Sequence, residues 1–194
     1  MADDKQVLII KNKQMKKTIL FLSLIAIAGG AMAQKVTTTS AVVNFDATTP
    51  KDALPKAENK TVIASLDKTT GTIMFEAAVN NFAFSNPKIQ EHFNGEKWLH
   101  STEFPKFTFT GKIVKLSEVK FNKNGSYTVD VSGNLTVKGL SKPVSTSATI
   151  VVKDGAITTS SAFSIVLADY GITGGAIDGG KVAPEPKITV LASF

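Results

Sequence analysis

The run Ser126-Tyr127-Thr128-Val129-Asp130-Val131-Ser132-Gly133-Asn134-Leu135-Thr136-Val137-Lys138-Gly139-Leu140-Ser141-Lys142 decides the fold. From Tyr127 to Val137 the odd positions carry Tyr, Val, Val, Gly, Leu and Val, and the even ones carry Thr, Asp, Ser, Asn and Thr. A period of two sends alternate side chains to opposite faces, so this segment reads as a long antiparallel strand, apolar on one side and wet on the other. Gly139 permits a tight reversal, and Pro143 near the head of the following run sits where a strand tolerates a missing N–H. A strand of this kind belongs to a barrel or a sandwich.

The same pattern extends in both directions. Toward the C-terminus, Val144, Thr146, Ala148, Ile150 and Val152 pair back, and Asp154-Gly155 signals a hairpin into Ile157, Thr159, Ser161, Phe163, Ile165 and Leu167. Gly171 to Gly180 reads as a glycine-rich loop, and Ile188, Val190, Ala192 and Phe194 form a last strand. Toward the N-terminus, Val119 and Phe121 predict a strand that Asn124-Gly125 turns into the central one, preceded by another at Phe107, Phe109 and Ile113. Asn86-Pro87 offers an N-cap and a proline at the first helical position, so a short helix with Ile89 and Phe93 on one face is predicted to end near Gly95. Ile73, Phe75, Ala77 and Val79 alternate until Asn80-Asn81 breaks the phase before Phe82 and Phe84, which predicts a bulge or a strand end. Val62, Ala64 and Leu66 predict a short strand, Asp46 to Lys60 a surface loop, and Thr37 to Phe45 a first strand. Eight or nine strands on short turns, with one helix, predict an all-β fold in which the terminal strands pair and remove the edges.

The beginning of the chain follows a different logic. Met15, Lys16 and Lys17 precede an apolar run from Thr18 to Ala28 and the small-residue pattern Ala31-Met32-Ala33, the order of a secretory signal. The run is shorter than the roughly 20 apolar residues that a spanning helix needs. Residues 1–33 are therefore read as an N-terminal extension with a signal peptide, and 34–194 as one β-barrel domain. Loss of residues 1–33 takes five of the 22 basic and two of the 16 acidic residues, which lowers the net charge from +6 to +3. Every basic residue is Lys, so the planar guanidinium fork that grips phosphates and guanines is missing and nucleic acid is not an expected partner. There is no cysteine, hence no disulfide, thiol chemistry or lipidated N-terminal Cys in a protein expected to be periplasmic or secreted.

Little in the chain suggests catalysis. His92 and His100, with Glu91, Glu96 and Glu103 nearby, fit neither a zincin helix nor a Cys/His ligand set. No Gly-x-Ser-x-Gly elbow accompanies the abundant hydroxyls, and the Gly171–Gly180 loop lacks the spacing of a phosphate cradle. No cofactor or metal is expected, and a hydrolase ranks last among the readings. What remains is the apolar face itself. Its candidate lining is Phe75, Val79, Phe82, Phe84, Ile89, Phe93, Phe107, Phe109, Ile113, Tyr127, Val129, Val131, Leu135, Ile150, Phe163, Ile165 and Leu167. Alternation gives one signal for a packed barrel and for a hollow one, because small eight-stranded barrels do both.

Three segments carry a family resemblance. Gly133-Asn134-Leu135-Thr136-Val137-Lys138-Gly139 with Lys142-Pro143-Val144 resembles the "G-x-L-T-x-K-G-x-x-K-P-V" hallmark of the YceI-like, polyisoprenoid-binding periplasmic proteins. His92-Phe93-Asn94 followed by Ser101 to Phe109 is similar to that family's helix-to-strand passage, "S-x-x-F/Y-P-x-x-x-F", and Asp169-Tyr170-Gly171-Ile172 to its "D-F/Y-G-I" element. The family's early "H-S-x-V-x-F" is replaced by Ala41-Val42-Val43-Asn44-Phe45. The resemblance implies an extended eight-stranded lipocalin-like barrel with one short helix and a long apolar pore for an isoprenoid or similar long-chain lipid. It implies no catalytic residue and no metal. The alternative is a packed barrel acting as a structural or interaction module of the cell envelope through the loops Asp46 to Lys60 and Gly171 to Pro186. The sequence leaves monomer and homodimer both open.

The leader has a direct test. Protein recovered from its native periplasm is expected to begin at Gln34, with translation starting in effect at Met15. Intact mass or N-terminal sequencing checks this, and a mature chain that still carries Lys16 and Lys17 refutes export by cleavage.

Overall fold

The computed structural model describes residues 34–194, so the leader expected over 1–33 lies outside the described residues. In chain order the elements are β1 (Lys35–Asp46), β2 (Lys56–Asp67), β3 (Thr72–Ala78), β4 (Ala83–Phe84), α1 (Pro87–Asn94), β5 (Lys106–Ile113), β6 (Gly125–Val137), β7 (Leu140–Lys153), β8 (Ala156–Ser164), α2 (Gly175–Asp178) and β9 (Lys187–Ser193). Each strand pairs with its neighbours in the order β1-β9-β8-β7-β6-β5-β3-β2, and β1 pairs with β2 to close the ring. Closure joins the first strand to the last, antiparallel from Val42 opposite Leu191 to Asp46 opposite Lys187. The result is the expected closed eight-stranded antiparallel barrel, in which the pairing of the first and last strands removes the two edges an open sheet would expose.

The central segment folds as its period demands. Val129 and Val131 are buried at 4% and 5% exposure, while Thr128, Asp130, Ser132 and Asn134 face outward. β6 runs against β7 over its whole length, from Gly125 opposite Val152 to Val137 opposite Leu140. The hairpin bends at Lys138 and Gly139, both at positive φ (50° and 74°), where glycine has no Cβ to oppose the turn. The helix also starts as predicted. The Asn86 side chain accepts from the Lys88 N–H at 2.9 Å, and Pro87 occupies the first turn, where its missing N–H costs nothing.

Three local expectations change and one is met. No strand forms at Val119 and Phe121. A 3-10 turn at Leu116–Glu118 leads into a loop whose Val119 and Phe121 tuck beneath the barrel end, so their spacing reflects a two-point apolar anchor and not a pleat. β2 starts earlier than predicted, at Lys56, because the buried Asn59 bonds Ala78 O through Nδ2 (3.0 Å) and accepts from Thr61 N through Oδ1 (2.9 Å). That polar hinge shifts the inward phase from Ala57 and Asn59 to Val62, Ala64 and Leu66. The strand end expected at Asn80-Asn81 is present: β3 stops at Ala78, a 3-10 turn spans Val79–Asn81, and β4 then pairs with β2 at Ala57 and Glu58. The glycine-rich segment holds the single helical turn α2.

Two apolar clusters divide the interior along the barrel axis. One gathers Leu66, Ile73, Ile113, Val119, Val129, Ile150, Val152 and Ile157, with Phe121 and Tyr127 against it. The other lies toward α1 and gathers Phe45, Val62, Val79, Phe82, Phe93, Leu99, Leu167, Tyr170 and Ile172.

Two variants test the register. Thr128→Asp is expected to stay within about 0.5 kcal/mol of wild type, whereas Val131→Asp, an unpaired buried charge, costs several kcal/mol. Urea midpoints measure both, and equal midpoints overturn the register. A third variant tests burial at the α1 end. Burial raises the Tyr170 phenol above its ordinary value of 10.0, with the Asp169 carboxylate adding to the effect. The unfolded chain therefore loses this proton first, so the stability linked to it is intact below about pH 10 and is lost as pH climbs through the folded-state value. The melting temperature of wild type should fall more steeply above that pH than that of Tyr170→Phe.

A hollow section of the barrel lumen

The two clusters leave space between and beside them. A cavity of about 150 Å³ occupies the lumen on the α1 side, the size at which an engineered apolar cavity stays dry and takes up benzene. Its wall is built from alternate positions of seven of the eight ring strands: Val43 and Phe45 on β1, Ile73, Phe75 and Ala77 on β3, and Phe107 and Phe109 on β5. Val131, Leu135 and Val137 on β6, with Val144, Thr146 and Ala148 on β7, continue it. Thr159, Ser161 and Phe163 on β8 and Ile188 and Val190 on β9 complete the circuit. The eighth strand, β2, adds Val62. Phe82, Phe93, Leu99, Ile165, Leu167 and Ile172 line it from the segments between strands. No charged side chain lines it.

Two glycines keep this section hollow. Gly111 on β5 stands opposite Gly133 on β6, both inward in phase. A Cβ at Gly111 would lie 2.5 Å from the tip of the Phe109 ring, and one at Gly133 would lie 2.8 Å from it and 2.4 Å from the Gly111 Cα. The Phe109 ring thus lies flat over the bare backbone of its own and the neighbouring strand.

A second pocket, of about 180 Å³, lies outside the first, lined by Phe84, Ile89, His92, Trp98, Asp52, Lys181 and Val182 among others. Phe45 and Phe93 line both spaces, with ring centroids 5.7 Å apart and nearly edge to face, and Phe93 also packs on Phe82 and Phe84. The roof is tied down by Thr49 Oγ1 donating to Gly180 O at 2.8 Å and Lys51 Nζ donating to Gly179 O at 3.1 Å. Asp46, at the end of β1, receives bonds from the hydroxyl and N–H of Thr48 (2.7 and 3.0 Å), which hold its carboxyl below the usual carboxylate range, helped by Lys56 and Lys187.

The wall between β7 and β8 is split. Their ladder runs only from Ala148 opposite Ser161 to Lys153 opposite Ala156, so Leu140–Ser147 lean on β6 alone while Ala162–Ser164 pair with β9. At the apex of the split Ser161 Oγ donates to Ser147 O at 2.8 Å, and Thr146 Oγ1 lies 3.1 Å from Ser161 Oγ.

Of the residues singled out from sequence, Phe75, Phe82, Phe93, Phe107, Phe109, Val131, Leu135, Phe163, Ile165 and Leu167 stand on the cavity wall. Ile113, Val129 and Ile150 point inward but lie in the packed end. Tyr127 leans onto that end, its hydroxyl within reach of the carbonyls of Lys120 (3.2 Å) and Lys123 (3.1 Å). Val79 is fully buried behind the wall, and Phe84 and Ile89 face the outer pocket. Val43, Phe45, Ile188 and Val190 were missing from the predicted lining, although the period of the terminal strands carries them inward once closure is known, and Val62 on β2 was missing as well. His100 sits apart, its Nδ1 2.9 Å from Glu103 Oε2. Among the described residues no three of His, Cys, Asp and Glu converge on one point.

No curated protein matches the chain in sequence. Solved structures match it in fold: Burkholderia cenocepacia BcnA at 18% identity and TM-score 0.65, covering 79% of this chain and 96% of that one. A polyisoprenoid binding domain from Saccharophagus degradans, implicated in plant cell wall breakdown, matches at 13% identity and TM-score 0.69, covering 82% and 97%. The Campylobacter jejuni YceI protein matches at 19% and 0.50, covering 69% and 80%. At these identities the likeness is one of fold. The YceI-like domain model, in contrast, matches the sequence itself over residues 27–194, and by that match the chain belongs to the YceI-like family.

Proposed function

We propose that this protein is a non-enzymatic binder or carrier of an isoprenoid or similar long-chain lipid, exported by its leader to the periplasm. The observation that carries this reading is a hollow stretch of lumen walled by aromatic and aliphatic side chains, with no charged group on its surface. The Saccharophagus degradans relative is itself described as a polyisoprenoid binding domain, which agrees with it.

The energetics need no charged anchor. Each buried CH₂ is worth about 0.8 kcal/mol, so two or three five-carbon units offset an association cost on the order of 4 to 15 kcal/mol. The inner cavity of about 150 Å³ suits one such unit, and a longer chain would reach the outer pocket of about 180 Å³ only by parting the Phe45 and Phe93 rings, which line both spaces and pack edge to face. Catalysis would need a nucleophile or an acid–base pair facing this space, and the lumen presents hydrocarbon and a few hydroxyls.

Native mass spectrometry of detergent-free protein, before and after organic extraction, reads the guest directly. The expected result is an extractable apolar molecule, and Phe163→Trp or Phe109→Trp should abolish uptake of a fluorescent long-chain lipid while Thr128→Trp does not. A bare polypeptide mass together with no uptake after refolding gives the protein to the rival reading, a packed envelope module.

A further inference from the structure

We infer that the guest carries a neutral hydrogen-bonding group, a hydroxyl, carbonyl or amide, seated at the deep end of the cavity on Thr146, Thr159 and Ser161; this rests on the carrier reading. The three side chains are inward in phase. Thr146 stands opposite Val131, Ser161 opposite Ala148 and Val190, and Thr159 between Ile150 and Ala192, which are 0% and 1% exposed. They mark the level at which the hollow section meets the packed one, since their ladder partners Val131, Ala148 and Ile150 belong to the packed cluster.

Inward hydroxyls cost free energy unless they are bonded. Ser161 has spent its proton on Ser147 O at 2.8 Å. Thr146 has Ser161 Oγ, Ser147 O and Ala162 O at 3.1, 3.2 and 3.4 Å, and whichever of the two hydroxyls donates to the other, one of the pair is left with lone pairs and no donor. Among the described residues the Thr159 hydroxyl has no protein partner, yet it is not sealed away from space as an orphaned polar atom would be. One accepting and one donating hydroxyl thus border a space whose other polar lining is Thr108 and Ser160, both uncharged. A bare hydrocarbon would leave both unanswered. With no lysine, histidine or carboxylate on this wall, a charged group would be stranded there, so the complementary group is neutral.

The test uses p-cresol and p-xylene, equal in shape and differing by one hydroxyl, titrated into the extracted and refolded protein by calorimetry. Wild type is expected to bind p-cresol at least as tightly as p-xylene. Thr159→Val and Thr146→Val should each weaken p-cresol relative to p-xylene by about tenfold, the scale of one hydrogen bond. Thr159→Ser, which keeps the hydroxyl, should restore the ratio, and outward Thr128→Val should not change it. If wild type prefers p-xylene tenfold, or if Thr159→Val weakens both ligands alike, the polar seat is refuted while the apolar carrier stands. If neither ligand binds while a fluorescent long-chain lipid does, the seat is refuted and the carrier stands; if the lipid fails as well, both fall.

Discussion

The pairing of β1 with both β9 and β2 is the constraint from which the rest of the molecule follows. A sheet of alternating strands has one face that must leave water, and curling it until the first strand meets the last buries that face without a second layer. Once the ring is closed, every inward residue has a set of neighbours across the lumen as well as beside it. The interior then has two fates along its length. Where Leu66, Ile73, Ile113 and Ile150 meet, with Val119 and Phe121 folded in from below, side chains fill the bore. Nearer α1 the ring is roofed by the helix and the tied loops, and the bore is left partly empty.

That difference explains what could be read in the sequence. The faces were legible: the Tyr127–Val137 alternation, the Asn86-Pro87 helix start and the Asp154-Gly155 hairpin all turn up as local chemistry requires. Depth was not. Val129 and Val131 carry the same period-two signal, yet only Val131 reaches the cavity, because distance along the axis depends on strand stagger that a single strand does not encode. The Val119-Phe121 pair showed the opposite problem, since two inward anchors in a loop mimic a pleat. Thr146, Thr159 and Ser161 were in the right phase but of a residue type usually found outside, so their chemistry was visible only after the ring placed them.

The aromatic pair Phe45 and Phe93 belongs to elements far apart in sequence, a terminal strand and a mid-chain helix, which closure and the Asn86 cap bring together. Edge-to-face rings of this kind hold each other without a hydrogen bond, so their position depends on packing alone. The inner and outer spaces meet at a contact held by ring packing and by no hydrogen bond.

Gly111 and Gly133 give the barrel an unusual kind of specificity. Most binding sites select their guest by the side chains they present; here the bore is set by two residues that present none, with Phe109 folded onto the bare backbone they leave. A single methyl at either position has no room of its own and lifts the ring off the wall, so the largest change in capacity comes from the smallest change in sequence. The calibre of this channel is therefore tied to the approach of β5 and β6 themselves, because a methyl at Gly133 meets the Thr110 carbonyl and the Gly111 Cα, and one at Gly111 meets the Ser132 carbonyl, so the two strands must part before either residue can change.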